Sequence, residues 1–354
     1  MSATVFQPDY RNLAAAAQNR RGARLPLYEH IISADKIEEI TGSRFAALQG
    51  GNYADKLEYY RRFCAFWRDM GYDTVSFEAC VTSVVQNGEC LSGRAPGIIR
   101  DGAEFEDFDF SGLEMRFWAL WEEDFRALGE AMPQGMKAVG GIGNGLFEVV
   151  QDLVGYPQLC MLRVDDPELY GMIFAGVGDL MVSIWTSFLA RHAELFAVCR
   201  FGDDLGFKSS TLLVPDDIRT LVIPQYRRVV DLVHAAGKPF LLHSCGCIFE
   251  VMDDIIAGVG IDAKHSNEDQ IAPFPVWVER YGERIGLFGG VDMDVLCRRS
   301  EAEIREYTLA LIAACSGQKG FALGSGNSIP DYVPAAGYLA MVNTVRESRG
   351  DFAK

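Results

Sequence analysis

The 354-residue chain is 49% hydrophobic and 23% charged, the balance of a folded globule with a sizeable core rather than of a disordered or low-complexity chain. Its 33 Lys and Arg against 49 Asp and Glu give a net charge of −16, which excludes a basic nucleic-acid footprint and repels anionic membrane surfaces. Nine scattered cysteines, an odd number in a chain this long, read as reduced thiols of a cytoplasmic protein rather than a disulfide framework, and Cys245 and Cys247 do not form a CxxC redox pair.

The N-terminus has no apolar h-region, so no secretory signal is expected. Residues 1–23 read as a flexible or helical arm ahead of a single domain over 24–354. Strands are predicted at 25–28, 74–77 and 137–142. The stretch 171–190 is long enough to cross a bilayer, but Asp179 at mid-span and Gly176, Gly178, Ser183 and Ser187 make it a buried helix of a large domain.

From there strand and helix signals alternate. Strands are predicted at 197–201, 239–242, 259–263, 285–288 and 321–323. Between them fall helices at 214–236, opened by Pro215-Asp216-Asp217 and stopped by Gly237, then at 248–256 and at 275–281, the latter ended by Gly282. A last one runs to about 314 behind the capping box of Ser300 and Glu303. Three strands and five make eight, and strands alternating with helices imply parallel pairing and right-handed crossovers. The fold class is therefore α/β, a (β/α)8 TIM barrel. A doubly wound sheet is the alternative, but Gly141-Ile142-Gly143-Asn144-Gly145 lacks the last glycine of its phosphate fingerprint.

Chemistry in such a barrel gathers at the C-terminal strand ends. Those ends carry Glu29-His30, Glu78, Asn144, Asp203-Asp204, His243, Cys245, His265, Asp292 and Asn327. On a strand, residues two apart share a face, so His243 and Cys245 can meet one point, and imidazole with thiolate suits zinc. Each residue also has a plainer reading. Asp203 or Asp204 caps a turn, Lys208 lies on the surface or belongs to an ion-paired loop behind the two aspartates, and His265 supports a neighbour. Asn327 occupies a left-handed backbone position, or its glycine-rich loop cradles an anion.

Four segments carry a resemblance: Phe201-Gly202-Asp203-Asp204-Leu205-Gly206-Phe207-Lys208, Leu242-His243-Ser244-Cys245-Gly246, Phe288-Gly289-Gly290-Val291-Asp292, and 322–330 around Gly324-Ser325-Gly326-Asn327. Through them the chain, over 24–346, resembles the uroporphyrinogen decarboxylase superfamily, which includes zinc methyltransferases that work with corrinoid proteins. The resemblance implies one (β/α)8 barrel, a possible homodimer and one of two chemistries. The decarboxylases seat their polyacidic substrate with N-terminal arginines and an aspartate after the second strand. Here residues 25–31 carry no arginine, and the aspartate position holds Glu78. The thiol-directed methyltransferases hold zinc with a His-x-Cys pair, matched by His243 and Cys245, and a third cysteine whose place is taken by Asn327. An oxygen from Asp203, Asp204 or Glu78 then completes the metal set, or water and substrate fill it.

The expected function is zinc-dependent methyl transfer between a small methylated substrate, or a thiol or folate acceptor, and a corrinoid carried by a partner protein. His243 and Cys245 are the metal ligands. Glu78, Asp203, Asp204, Lys208, His265 and Asn327 are the candidate catalytic residues. The alternatives are a metal-independent decarboxylase, marked by a basic cluster in its pocket, and a non-catalytic small-molecule binder.

Overall fold

The computed structural model describes residues 6–85 and 96–351. Cys90 lies outside them, and the other eight cysteines are free thiols. Seven strands form one sheet: β1 (Val75–Cys80), β2 (Ala138–Gly143), β3 (Phe196–Gly202), β4 (Phe240–His243), β5 (Ala263–His265), β6 (Gly286–Val291) and β7 (Phe321–Ser325). Each pairs in parallel with the next in sequence, and helices fill the crossovers. The architecture is α/β and TIM-barrel-like.

The strand expected at 25–28 is the departure. Leu27 makes one parallel bridge to Leu323 of β7, with Tyr28 N–H on Leu323 O at 2.9 Å, and Ile32 makes another to Ile329. Toward β1 the bond to His30 O comes from the Ser76 hydroxyl. Pro26 has no N–H to donate, so this segment lies at the sheet without a regular ladder. The strand expected at 259–263 also moves. The preceding helix winds on through a π-helical turn, Ile255–Val259, stops at left-handed Gly260, and leaves β5 to begin at Ala263.

Strand alternation sorts the side chains. Phe201, Phe240, Leu242 and Leu287 join the large apolar layer beneath the helices. Val139, Val198, Leu241, Ala263, Phe288 and Ala322 form a smaller inner cluster, which Leu13, Ala16 and Ala17 of the helix Arg11–Ala17 complete. A Cβ at Gly286 or Gly320 would strike the Ala16 carbonyl, so the two glycines let this helix seat at the strand starts. The long apolar helix Pro167–His192 buries Ile173, Phe174, Val177, Ile184, Trp185 and Phe188, and its mid-span Asp179 pairs with Arg228 at 2.7 Å. It is the one described helix long and apolar enough to cross a membrane, and half of its most apolar window is buried.

Candidate metal centre

Parallel register places Gly202 of β3 beside His243 of β4, and His243 beside His265 of β5. His265 Nε2 reaches the Ser325 carbonyl at 3.0 Å, and that oxygen can only accept. The proton of His265 therefore sits on Nε2, and its Nδ1 is a bare acceptor 2.7 Å from His243 Nδ1. His243 must donate across that gap, which strips its own Nε2 of hydrogen. Burial, with His265 and Arg200 nearby, holds His243 well below the usual imidazole range, and burial lowers His265 to about 3. Both rings are neutral at physiological pH. His30, buried as well, stacks on His243 at 3.6 Å between centroids.

The bare His243 Nε2 stands 3.4 Å from Cys245 Sγ. Two ligands of one tetrahedral zinc, at roughly 2.0 and 2.3 Å, lie about 3.5 Å apart. Asp204 Oδ1 is 3.9 Å from the same nitrogen, and the three donor atoms lie within 4.8 Å of one another. The donor set of imidazole, thiol and carboxylate fits a catalytic zinc with open positions. Burial, then the Asp204 carboxylate, pushes the Cys245 thiol up, so it holds its proton until a cation displaces it.

The two loops that carry these atoms are clasped by backbone N–H groups. Asp203 N–H donates to His243 O at 2.9 Å, Cys245 N–H to Asp204 Oδ1 at 3.0 Å, and Cys247 N–H to Phe207 O at 2.7 Å. Gly246, at φ +80°, packs on Gly206 so closely that a Cβ on either would collide with the other's backbone.

The other sequence candidates take distinct places. Asp203 is fully buried and accepts from Phe147 N and Glu148 N, both at 2.8 Å, and from the Tyr226 hydroxyl. It caps the helix Leu146–Val154, and burial raises its pKa to about 7 against the pull of those donors. Glu78 is held by Arg200 Nη2 at 2.8 Å. Lys208 turns to Gln270 Oε1 at 2.8 Å on the exposed side, so the ion pair expected with the neighbouring aspartates is absent from this loop's described contacts. Asp292 caps the helix Met293–Arg298. Glu29, raised to about 8 by burial, is bonded to Ser325. Asn327 is not left-handed; among the described asparagines that conformation falls at Asn19, φ 51°, and Asn144, φ 65°. Gly326 packs against the Asn267 backbone, so the glycines of this loop serve close approach rather than an anion cradle. Asn327 instead points its amide nitrogen at Cys245 Sγ, 3.2 Å away.

Sequence reasoning missed Arg200 and Lys264. Arg200 is wholly buried on the inner face of β3, with Nη1 at 2.9 Å from both Tyr28 Oη and Ser76 Oγ. Lys264 is buried on the outer face of β5, with Nζ on the Ser266 carbonyl and 3.9 Å from the centre of the Trp277 ring. A charged residue inside an otherwise apolar strand was the available signal.

A curled parallel sheet with a buried imidazole and a half-buried thiol converging at its C-terminal edge defines an α/β barrel-like protein with a candidate metal centre. The family model for uroporphyrinogen decarboxylase (URO-D) matches residues 125–348, more than half of the chain. The chain belongs to that family. Among solved structures it is similar to a methyltransferase from Methanosarcina mazei, with 15% identity over 97% of this chain and 99% of that one and a TM-score of 0.70. It is also similar to the putative vitamin-B12 independent methionine synthase of Listeria monocytogenes, with 11% identity over 92% and 99% of the two chains and a TM-score of 0.54. The B12-independent methionine synthase of Shewanella sp. W3-18-1 covers 84% of this chain and 87% of its own at 12% identity and a TM-score of 0.50. At these identities the likeness is one of fold. No curated protein sequence matches the chain.

Proposed function

We propose that the chain is a zinc-dependent methyltransferase that moves a methyl group between a small methylated substrate, or a thiol or folate acceptor, and a corrinoid protein. The observation that carries this is the bare Nε2 of His243 held 3.4 Å from Cys245 Sγ by a fixed tautomer. Asp204 is the third ligand, because its Oδ1 comes within 3.9 Å of His243 Nε2, whereas Asp203 is held at a helix N-terminus and Glu78 by Arg200. Zinc held there supplies a Lewis acid that polarises a leaving group or lowers the pKa of an acceptor thiol. His265 fixes the ring of His243 and keeps its metal-facing nitrogen unprotonated. The Glu78 carboxylate, neutralised by Arg200, orients substrate at the edge of the site. Phe207 and Tyr332, 62% and 72% exposed on the loops above β3 and β7, offer aromatic surface to a docking corrinoid protein. The same pairing argues against a polyacid decarboxylase, since it leaves Arg200 with no free charge for a substrate carboxylate.

The test is metal analysis of the purified protein, with methyl transfer to cobalamin followed by its visible spectrum over methoxylated aromatics, methylamines and thiols. One zinc per chain is expected, lost in His243→Ala and Cys245→Ala together with activity. Full activity in thoroughly chelated, metal-free protein ends the proposal.

A further inference from the structure

The loop after β7 meets both proposed ligands. Ser325 O takes the proton of His265 that sets the tautomer of His243. Two residues on, Asn327 Nδ2 lies 3.2 Å from Cys245 Sγ. The orientation of this amide is fixed by its other end, where Ser328 N–H donates to Asn327 Oδ1 at 2.8 Å. The atom facing sulfur is therefore the NH2, a donor with no lone pair to offer a metal. The hydroxyl Oγ of Ser266, the first residue after β5, approaches the same sulfur at 3.5 Å.

We propose that Asn327, assisted by Ser266, is a positioning residue for the Cys245 sulfur, donating a hydrogen bond that orients its lone pairs and draws charge from it when it ligates. The proposal rests on the reading of Cys245 as a metal ligand. A thiolate carries several lone pairs. Those engaged by Asn327 and Ser266 are withheld from a cation, and the one toward His243 Nε2 and Asp204 is left. An N–H on a ligating thiolate also lowers the energy of its filled orbitals, so the sulfur donates less and the cation beside it stays more electrophilic.

The experiment loads the full chain with Co2+ and compares wild type with Asn327→Leu, Asn327→Gln and Ser266→Ala. Asn327→Leu is expected to weaken Co2+ binding by about 10–100-fold, the usual loss for a partner of a metal ligand. Its sulfur-to-cobalt charge-transfer band should move to lower energy. Ser266→Ala should shift the band the same way by less, and Asn327→Gln should recover part of it. Circular dichroism melts confirm that each variant is folded. A folded Asn327→Leu with an unmoved band and affinity within twofold of wild type overturns the proposal. Should wild type bind no Co2+ through sulfur, it is the metal reading that fails. The contact is then judged in metal-free Asn327→Cys under mild oxidation, where a disulfide to Cys245 upholds it and its absence refutes it.

Discussion

A neutral imidazole carries one ring proton, and at His243 the chain His265 Nε2–H to Ser325 O, then His243 Nδ1–H to His265 Nδ1, assigns it to the nitrogen facing away from Cys245. His243 therefore has no proton to lose when a cation arrives, whereas Cys245, its thiol pushed up by burial and Asp204, has one. Metal binding should release a single proton. Because the thiol stays protonated across the accessible range, zinc affinity should fall about tenfold for each unit of falling pH, and a chelator competition at pH 6, 7 and 8 reads the slope. A slope near two means that the imidazole also binds a proton in the free protein. Lys264 gives a second prediction at this scale. Burial lowers its ammonium to about 7 from the ordinary 10.5. The folded chain then binds fewer protons than the unfolded one between those values, so this residue's contribution to stability rises with pH across that window and is flat below it. Lys264→Met removes a buried charge and should stabilise the fold on the order of 1–4 kcal/mol below pH 7. That advantage should shrink toward pH 10 in denaturant titrations of the two proteins, and a gap independent of pH refutes the assignment.

Elements meet at Asp203. Its carboxylate closes the N-terminus of Leu146–Val154, takes the hydroxyl of Tyr226 from the helix Ile223–Ala235, and sits one residue from Asp204. Asp203→Ala leaves two helical N–H groups and a buried phenol unanswered. It should lower stability by roughly 2–4 kcal/mol, the scale of a lost cap joined to a broken buried network. Asp203→Asn, which keeps an acceptor, should cost less. Thermal melts decide this: a folded, fully stable Asp203→Ala would show that the residue is not a structural anchor. The sequence pattern found these elements well where a local signal marked them. Ser300 and Glu303 form the expected capping box, and Pro215, Gly237 and Gly282 fall at the expected boundaries. It was least clear where the deciding partner was remote. Nothing near Leu27 shows that its segment meets the sheet through Leu323 and the Ser76 hydroxyl rather than through a regular ladder, and nothing near Val259 shows that the helix winds one turn further.

At the scale of the molecule, the barrel-like class was legible because strand and helix periods differ and alternate along the second half of the chain. The site was legible only as a set of polar strand ends. Which of them converge depends on register: His243 lies opposite His265 because β4 and β5 pair there, while Asp203 and Asp204, adjacent in sequence, part to different partners. The partners of Arg200 were hidden for the same reason. Its neutralisers, Glu78, Ser76 and Tyr28, are over a hundred residues away, so a strand that looks apolar locally can carry a charge.

The clasp between the Gly206 and Gly246 backbones has a kinetic meaning. Asp204 and Cys245 are stitched to each other and cannot splay independently, so their separation is set before a cation arrives. Capture of a cation then requires little loop ordering, and its rate is set by stripping water from the ion and one proton from Cys245. A cation too large for that separation meets a frame that does not stretch, and discrimination by size comes from the clasped loops.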